Sequence, residues 1–178
     1  MFFDLIRERR SIRRFSQKEV DSESIDRLVE AALRAPSSRG LNPWRFVVVD
    51  DPALLEKISA AKPHGASFLK DAPLGIVVLA DTDKSDVWIE DTSIASVFIQ
   101  LAAQSLGLSS CWIQIRKRNR DDGRTAGGYI KELLTVPENL EVESVIAVGH
   151  PAETKPGHSD STLQREKVFI NRYGQPHK

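Results

Sequence analysis

The sequence predicts a single domain of mixed α/β or α+β class, on three observations. The chain has 178 residues, within the size of one domain. Helix-period segments interleave with about four strand-like apolar runs. No internal repeat, low-complexity tract or linker divides the chain, so the domain is expected to span 1–178.

Residues 2–10 place Phe2, Phe3, Leu5 and Ile6 ahead of a dense charge cluster, the pattern of a short amphipathic helix that needs tertiary support. From Ser22 to Ala35, Ile25, Leu28, Val29, Ala32 and Leu33 follow i, i+3, i+4, i+7, i+8 spacing. Asp21 or Ser22 offers the N-cap, Glu23 and Asp26 suit the first turn, and Pro36 stops the helix. Residues 36–43 are loop chemistry, and Trp44–Val49 reads as a strand. Asp50-Asp51-Pro52 opens a short helix through Leu54, Leu55 and Ile58. Leu74–Ala80 is a continuous apolar run between Pro73 and Asp81, suited to a strand covered on both faces. Residues 91–106 are apolar around most of a helical circumference, and Gly107 supplies the stop. Cys111–Ile115 and Val142–Val148 read as two further strands, separated by a charged loop and a helix near Tyr129–Leu134 that ends before Pro137. The last thirty residues carry only Val168-Phe169-Ile170 as an apolar island, so this tail is expected to pack on something else, such as another subunit.

Charge and composition remove several functions. Lys and Arg total 25 against 25 Asp and Glu, a balance that argues against a nucleic-acid binder. One cysteine excludes an internal disulfide and a cysteine-built zinc site. The N-terminus MFFDLIRERR fits neither a signal peptide nor a membrane anchor, and a cytoplasmic protein is expected. No G-x-G-x-x-G follows the first strand, no phosphate-binding G-x-x-x-x-G-K-[ST] occurs, and Gly123, Gly127 and Gly128 have the wrong spacing for either. His64, His150, His158 and His177 show no i, i+4 pairing, so no metal site is expected. Cys111 sits in an apolar strand, where a buried structural thiol is the ordinary reading. No catalytic residue or acid–base pair stands out, and an enzyme with this sequence would take its reactivity from a cofactor.

Two segments could hold one. Residues 7–15 carry five arginines against one glutamate, with Ser11 among them, and the planar, permanently charged guanidinium matches a phosphate. Pro36-Ser37-Ser38-Arg39-Gly40-Leu41-Asn42-Pro43 sets two hydroxyls and an amide between stiffening prolines, as a planar heterocycle with polar edges requires. Trp44 beyond it fits a core residue equally well.

Taken in order, Arg9-Arg10-Ser11-Ile12-Arg13, Pro36-Ser37-Ser38 with Asn42-Pro43-Trp44, Asp91-Thr92-Ser93-Ile94-Ala95 with Ser109-Ser110-Cys111-Trp112, and Ala147-Val148-Gly149-His150-Pro151-Ala152-Glu153 resemble the FMN-dependent nitroreductase family. The blocks span 9–15, 35–44, 91–112 and 147–153, and His150 stands at the family's tyrosine position. The resemblance implies an α+β fold with a mixed central β-sheet of about 4–5 strands flanked by helices, and a C-terminal tail extending onto a partner subunit. It implies a homodimer with FMN at the interface. Arg9, Arg10, Ser11 and Arg13 would contact the phosphate and the pyrimidine side of the ring, and Pro36, Ser37, Ser38 and Asn42 would form the flavin loop, of which Pro36, Ser37 and Ser38 would come from the other subunit. Gln114 and Ile115 would pass the reactive N5 side, and Arg165, or else Lys167, would be the late phosphate ligand. The implied reaction is ping-pong: NADH or NADPH gives hydride to the flavin and leaves, and an electron-poor small molecule such as a nitroaromatic or quinone takes its place. Alternatives are a specialised relative performing reductive dehalogenation or flavin-consuming chemistry, or a non-catalytic flavin-binding protein. Gln114-Ile115-Arg116 departs from a segment in which the family often has glycine, and Arg39-Gly40 departs from its small polar loop residues. The basic run Arg116–Arg120 is read as a solvated loop or a lure for an anionic coenzyme or substrate.

Overall fold

The computed structural model describes residues 1–176, so His177 lies outside the described residues. Its elements run α1 (Phe2–Glu8), α2 (Ser22–Leu33), β1 (Trp44–Val49), α3 (Pro52–Ser59), β2 (Leu74–Asp81), α4 (Trp88–Ser105), β3 (Ser109–Gln114), α5 (Ala126–Leu133) and β4 (Leu140–Gly149). Short 3₁₀ turns fill the loops and the tail.

The helices begin where the cap chemistry allows. Asp21 accepts from the Ser24 amide at 2.8 Å to open α2, and Asp51 accepts from Ala53 and Leu54 ahead of Pro52 in α3. Thr125 caps α5 through the Gly128 amide at 3.1 Å. Helix α4 starts three residues before the expected Asp91: its N-cap Val87 has no side-chain bond of its own, and the Ser85 hydroxyl accepts the Val87 amide at 3.3 Å instead.

The four strands lie in the order β1-β2-β4-β3, and all three pairings are antiparallel. The expected mixed sheet is therefore corrected: the parallel component is a single bridge between Ser11 and Ser110. Register gives the reason. Val49, at the end of β1, faces Gly75 at the start of β2, so α3 and the turn after it cap one end of the sheet and do not cross it. Gln114, at the end of β3, pairs with Ser144 in the first half of β4, and α5 likewise joins neighbouring ends.

The apolar run of β2 is buried on both faces, as its composition predicts. Val77 and Leu79 pack with α3 and α5 residues such as Leu55 and Ile130. Ile76 and Val78 pack on the other side with Leu28 of α2 and Ile99 of α4. Helix α4 lays Ala95, Ile99 and Ala103 against the sheet. It also leaves Ile94, Val97 and Phe98 partly exposed. Among the described residues no helix is long and apolar enough to cross a membrane.

Candidate functional site

Beyond α1 the chain runs past the start of β3, the edge strand. The Ile12 amide donates to the Ser110 carbonyl at 3.1 Å, and Ile12 and Phe15 are buried. These two apolar anchors turn Arg13 and Arg14 outward. Residues 150–158 return antiparallel along this segment. The Ser16 amide donates to the His150 carbonyl, Ala152 to Arg14 and His158 to Arg7, at 2.9, 2.9 and 3.0 Å. The Glu153 carboxylate accepts the Arg13 amide at 2.7 Å and the Arg14 amide at 3.3 Å. Lys155 Nζ lies 3.1 Å from the same carboxylate and donates to the Ser11 carbonyl at 2.9 Å.

The charges gathered here are one-sided. Burial pushes the Cys111 thiol up, and the neighbours that oppose this are Arg13, a hydrogen bond with Ser11, Lys155 and Arg9. Lys155 is fixed on the Ser11 carbonyl, and Ser11 bridges Ser110 at the start of β3, so positive charge borders this end of the strand. Among the described residues neither Arg9 nor Arg13 pairs with a carboxylate, whereas Lys155 does. Burial and the nearby Arg118 charge lower Lys62, which also senses Cys111. The Ser110 hydroxyl and His150 Nε2 are buried without a partner. Guanidinium groups without a carboxylate partner are donors that suit a phosphate-bearing group. Arg10 is placed differently: its guanidinium donates to the Pro156 carbonyl and so ties down the returning tail.

The second segment forms a compact turn. Ser37 Oγ donates to Asn42 Oδ1 at 2.7 Å and accepts the Asn42 amide at 3.0 Å. Arg39, Gly40 and Asn42 have φ of 54°, 66° and 47°, which closes the loop between the two prolines. Its anchor is Asp91 in the first turn of α4, which accepts the Ser38 amide and the Ser85 hydroxyl, both at 2.8 Å. Asp91 is 2% exposed. Trp44 is buried against Ala35 and Ala95 and serves the core.

At the far end of β3 the side chains are already engaged. The Trp112 indole donates to Gln114 Oε1 at 3.0 Å, and the Gln114 amide donates to the Arg116 carbonyl at 3.1 Å. Ile115 is 1% exposed and belongs to the core, with its amide donating to the Glu143 carbonyl and its carbonyl accepting from the Arg118 amide. Glu143 is buried beside Gln114 with Oε2 unpartnered, and Arg116 Nε stands 4.0 Å away, with its guanidinium over the Trp88 ring. Burial holds the Glu143 carboxyl above its ordinary value. The folded chain therefore binds more protons here than the unfolded chain, and stability is lost as pH rises from the ordinary glutamate range through the raised value. Glu143→Gln is expected to raise Tm at neutral pH by about 2–4 °C, equivalent to about 1 kcal/mol. The gain should vanish in acid, and thermal melts at both pH values check it.

Arg165 and Lys167 lie on an exposed 3₁₀ turn of the tail, and neither side chain makes a hydrogen bond or ion pair among the described residues. The structure thus brings Arg9, Ser11 and Arg13 together. It sets Pro36, Ser37, Ser38 and Asn42 apart from them at the other end of α4. At about 1.5 Å per residue, Asp91 to Ser105 spans about 20 Å. Lys155 and Lys62 are additions to the site: Lys155 meets Ser11 across 144 positions, a pairing without any local signal.

An antiparallel sheet covered by helices on both faces, with an arginine-rich loop bridged to its edge strand β3, is the frame of the molecule. The chain belongs to the nitroreductase family, whose model matches residues 6–65 and 59–150. It is 48% identical to an FMN-dependent nitroreductase of Clostridium difficile R20291, with a TM-score of 0.94 over 96% of this chain and 99% of that one. It is 41% identical over 173 residues, 96% of this chain and 86% of the relative, to a Methanothermobacter thermautotrophicus protein named "Putative NADH dehydrogenase/NAD(P)H nitroreductase". A Bacillus subtilis FMN reductase [NAD(P)H] is 25% identical, covering 92% of this chain and 72% of that protein.

Proposed function

We propose that this protein is an FMN-dependent oxidoreductase that takes electrons from NADH or NADPH and passes them to an electron-poor acceptor such as a nitroaromatic or a quinone. The observation that carries the reading is the placement of Arg9 and Arg13, neither paired with a carboxylate among the described residues, with Ser11 and Lys155 beside the start of β3. Bound FMN supplies the two-electron chemistry, which no side chain here can perform. Arg9, Ser11 and Arg13 hold its phosphate and ring edge, and fixed positive charge favours the more anionic, reduced state of a bound redox group. Arg165 or Lys167 completes the phosphate site from the tail. The backbone at Gln114 and Ile115 borders the reacting side, and the engaged Gln114 amide keeps that wall rigid. This reading places the protein in the cytoplasm, with the reduced nicotinamide pool.

The functional form in this reading is a homodimer with FMN between subunits. The flavin loop leads into β1 and the arginine loop bridges β3, the two opposite edges of the sheet, which supports a site shared by two chains. So does an apolar groove of about 540 Å³ between α1, α2 and α4, lined by Phe2, Leu5, Val97, Phe98 and Leu101. Phe2, Phe3 and Val97 are 59%, 64% and 47% exposed, more apolar surface than a short helix and a buried one leave open without a partner. The tail, exposed at Leu163, Val168 and Ile170, extends onto the second copy. Val97→Asp with Phe98→Asp is expected to give a monomer by sedimentation that has lost FMN; a dimer retaining FMN would contradict the shared site.

Steady-state oxidation of NADH and NADPH with nitroaromatic and quinone acceptors tests the activity. Turnover well above that of free FMN is expected. A flavin-loaded protein no faster than free FMN would instead be a non-catalytic flavin binder.

A further inference from the structure

Residues 11–14 make no helix or strand of their own beyond single bridges at Ser11 and Phe15, yet they must hold Arg9 and Arg13 in register with β3. Two consecutive amides, those of Arg13 and Arg14, turn toward the returning tail, and both are received by the one carboxylate of Glu153. Lys155 joins that carboxylate to the Ser11 carbonyl, so the ring closes from Ser11 through Lys155 and Glu153 back to Arg13. Its logic is electrostatic. A carboxylate amid arginines would ordinarily pair with a guanidinium and cancel it, but Glu153 turns one oxygen, Oε1, to both main-chain amides and to Lys155, and among the described residues no guanidinium pairs with it. These bonds, led by the Arg13 amide, hold the Glu153 carboxyl below its ordinary value, so it remains charged at neutral pH. The tail also lies hard against the end of α1: a Cβ on Gly157 would come within 2.6 Å of the Arg7 carbonyl oxygen.

We propose that Glu153 and Lys155 are positioning residues for the cofactor site, a clasp that shapes the backbone of residues 11–14 so that Arg9 and Arg13 face the bound phosphate-bearing group. The inference rests on the FMN reading above, and its test separates the two. Apoprotein is titrated with FMN, its Tm is recorded, and amide hydrogen exchange is followed at Arg13 and Arg14, for wild type, Glu153→Ala, Glu153→Gln, Lys155→Ala and the double alanine variant.

Glu153→Ala is expected to weaken FMN binding about ten-fold or more and to speed exchange at both amides. Glu153→Gln, which keeps an acceptor for the Arg13 amide, should recover part of the affinity. Lys155→Ala should add little in the Glu153→Ala background, as expected for two members of one network. Gly157→Ala, which pushes the tail off Arg7, should act in the same direction. FMN affinity and amide exchange both at wild-type levels in Glu153→Ala would overturn the clasp. So would a loss of affinity that only tracks a lowered Tm, with the glutamine variant no better than the alanine one. A wild-type chain that binds no FMN would sink the cofactor reading, while the exchange rates would still decide whether the clasp shapes the loop.

Discussion

Arg9→Ala and Arg13→Ala are each expected to raise the Kd for FMN roughly ten- to hundred-fold while the fold stays intact. Each removes a charge-assisted contact worth about 1.5–3 kcal/mol. Neither guanidinium has a carboxylate partner among the described residues, so truncation breaks no internal ion pair. Removing either guanidinium should leave the stability of the apoprotein within about 0.5 kcal/mol of wild type. Flavin fluorescence titration beside a thermal melt separates the two quantities. Unchanged FMN affinity in both variants would refute the assignment of this loop to the phosphate.

Asp91→Ala is the substitution with the largest expected effect on stability. Its carboxylate is buried, sits in the first turn of α4 where the helix field favours negative charge, and satisfies both the Ser38 amide and the Ser85 hydroxyl. Truncation leaves the amide unpaired in a part-buried place and opens a cavity beside it. A cost of about 2–4 kcal/mol follows, or roughly 5–12 °C in Tm. The Ser37-Ser38 turn loses its tether to α4, so FMN affinity should fall with it. Asp91→Asn keeps one acceptor for the Ser38 amide and should lie between alanine and wild type. A melt of Asp91→Ala that overlays wild type would show that the turn is held by its prolines and by the Ser37–Asn42 bonds alone.

The elements with strong local patterns were legible in the sequence. The apolar run of β2, the i, i+3, i+4 stripe of α2 and the Asp51-Pro52 helix start each encode their structure within a few residues. Strand direction was not legible, because nothing within β1 or β2 states that the chain re-enters the sheet at the end it left. The candidate site divides in the same way. Arginine density marked Arg9 and Arg13, but not that Arg10 would turn to the Pro156 carbonyl, since the tail reaches it from 146 positions away. The burial of Ile115 was available from strand alternation: Cys111, Ile113 and Ile115 share one face, and that face is the core. Asp91 was visible as part of a helix opening, whereas its grip on Ser38 depends on how a loop 53 residues earlier is folded.

The visible absorption spectrum of the purified protein, with the released chromophore identified, tests the central claim most directly. The account predicts a yellow protein that releases FMN, or a colourless one that takes up added FMN and turns yellow. A colourless protein that fails to bind added FMN would contradict it.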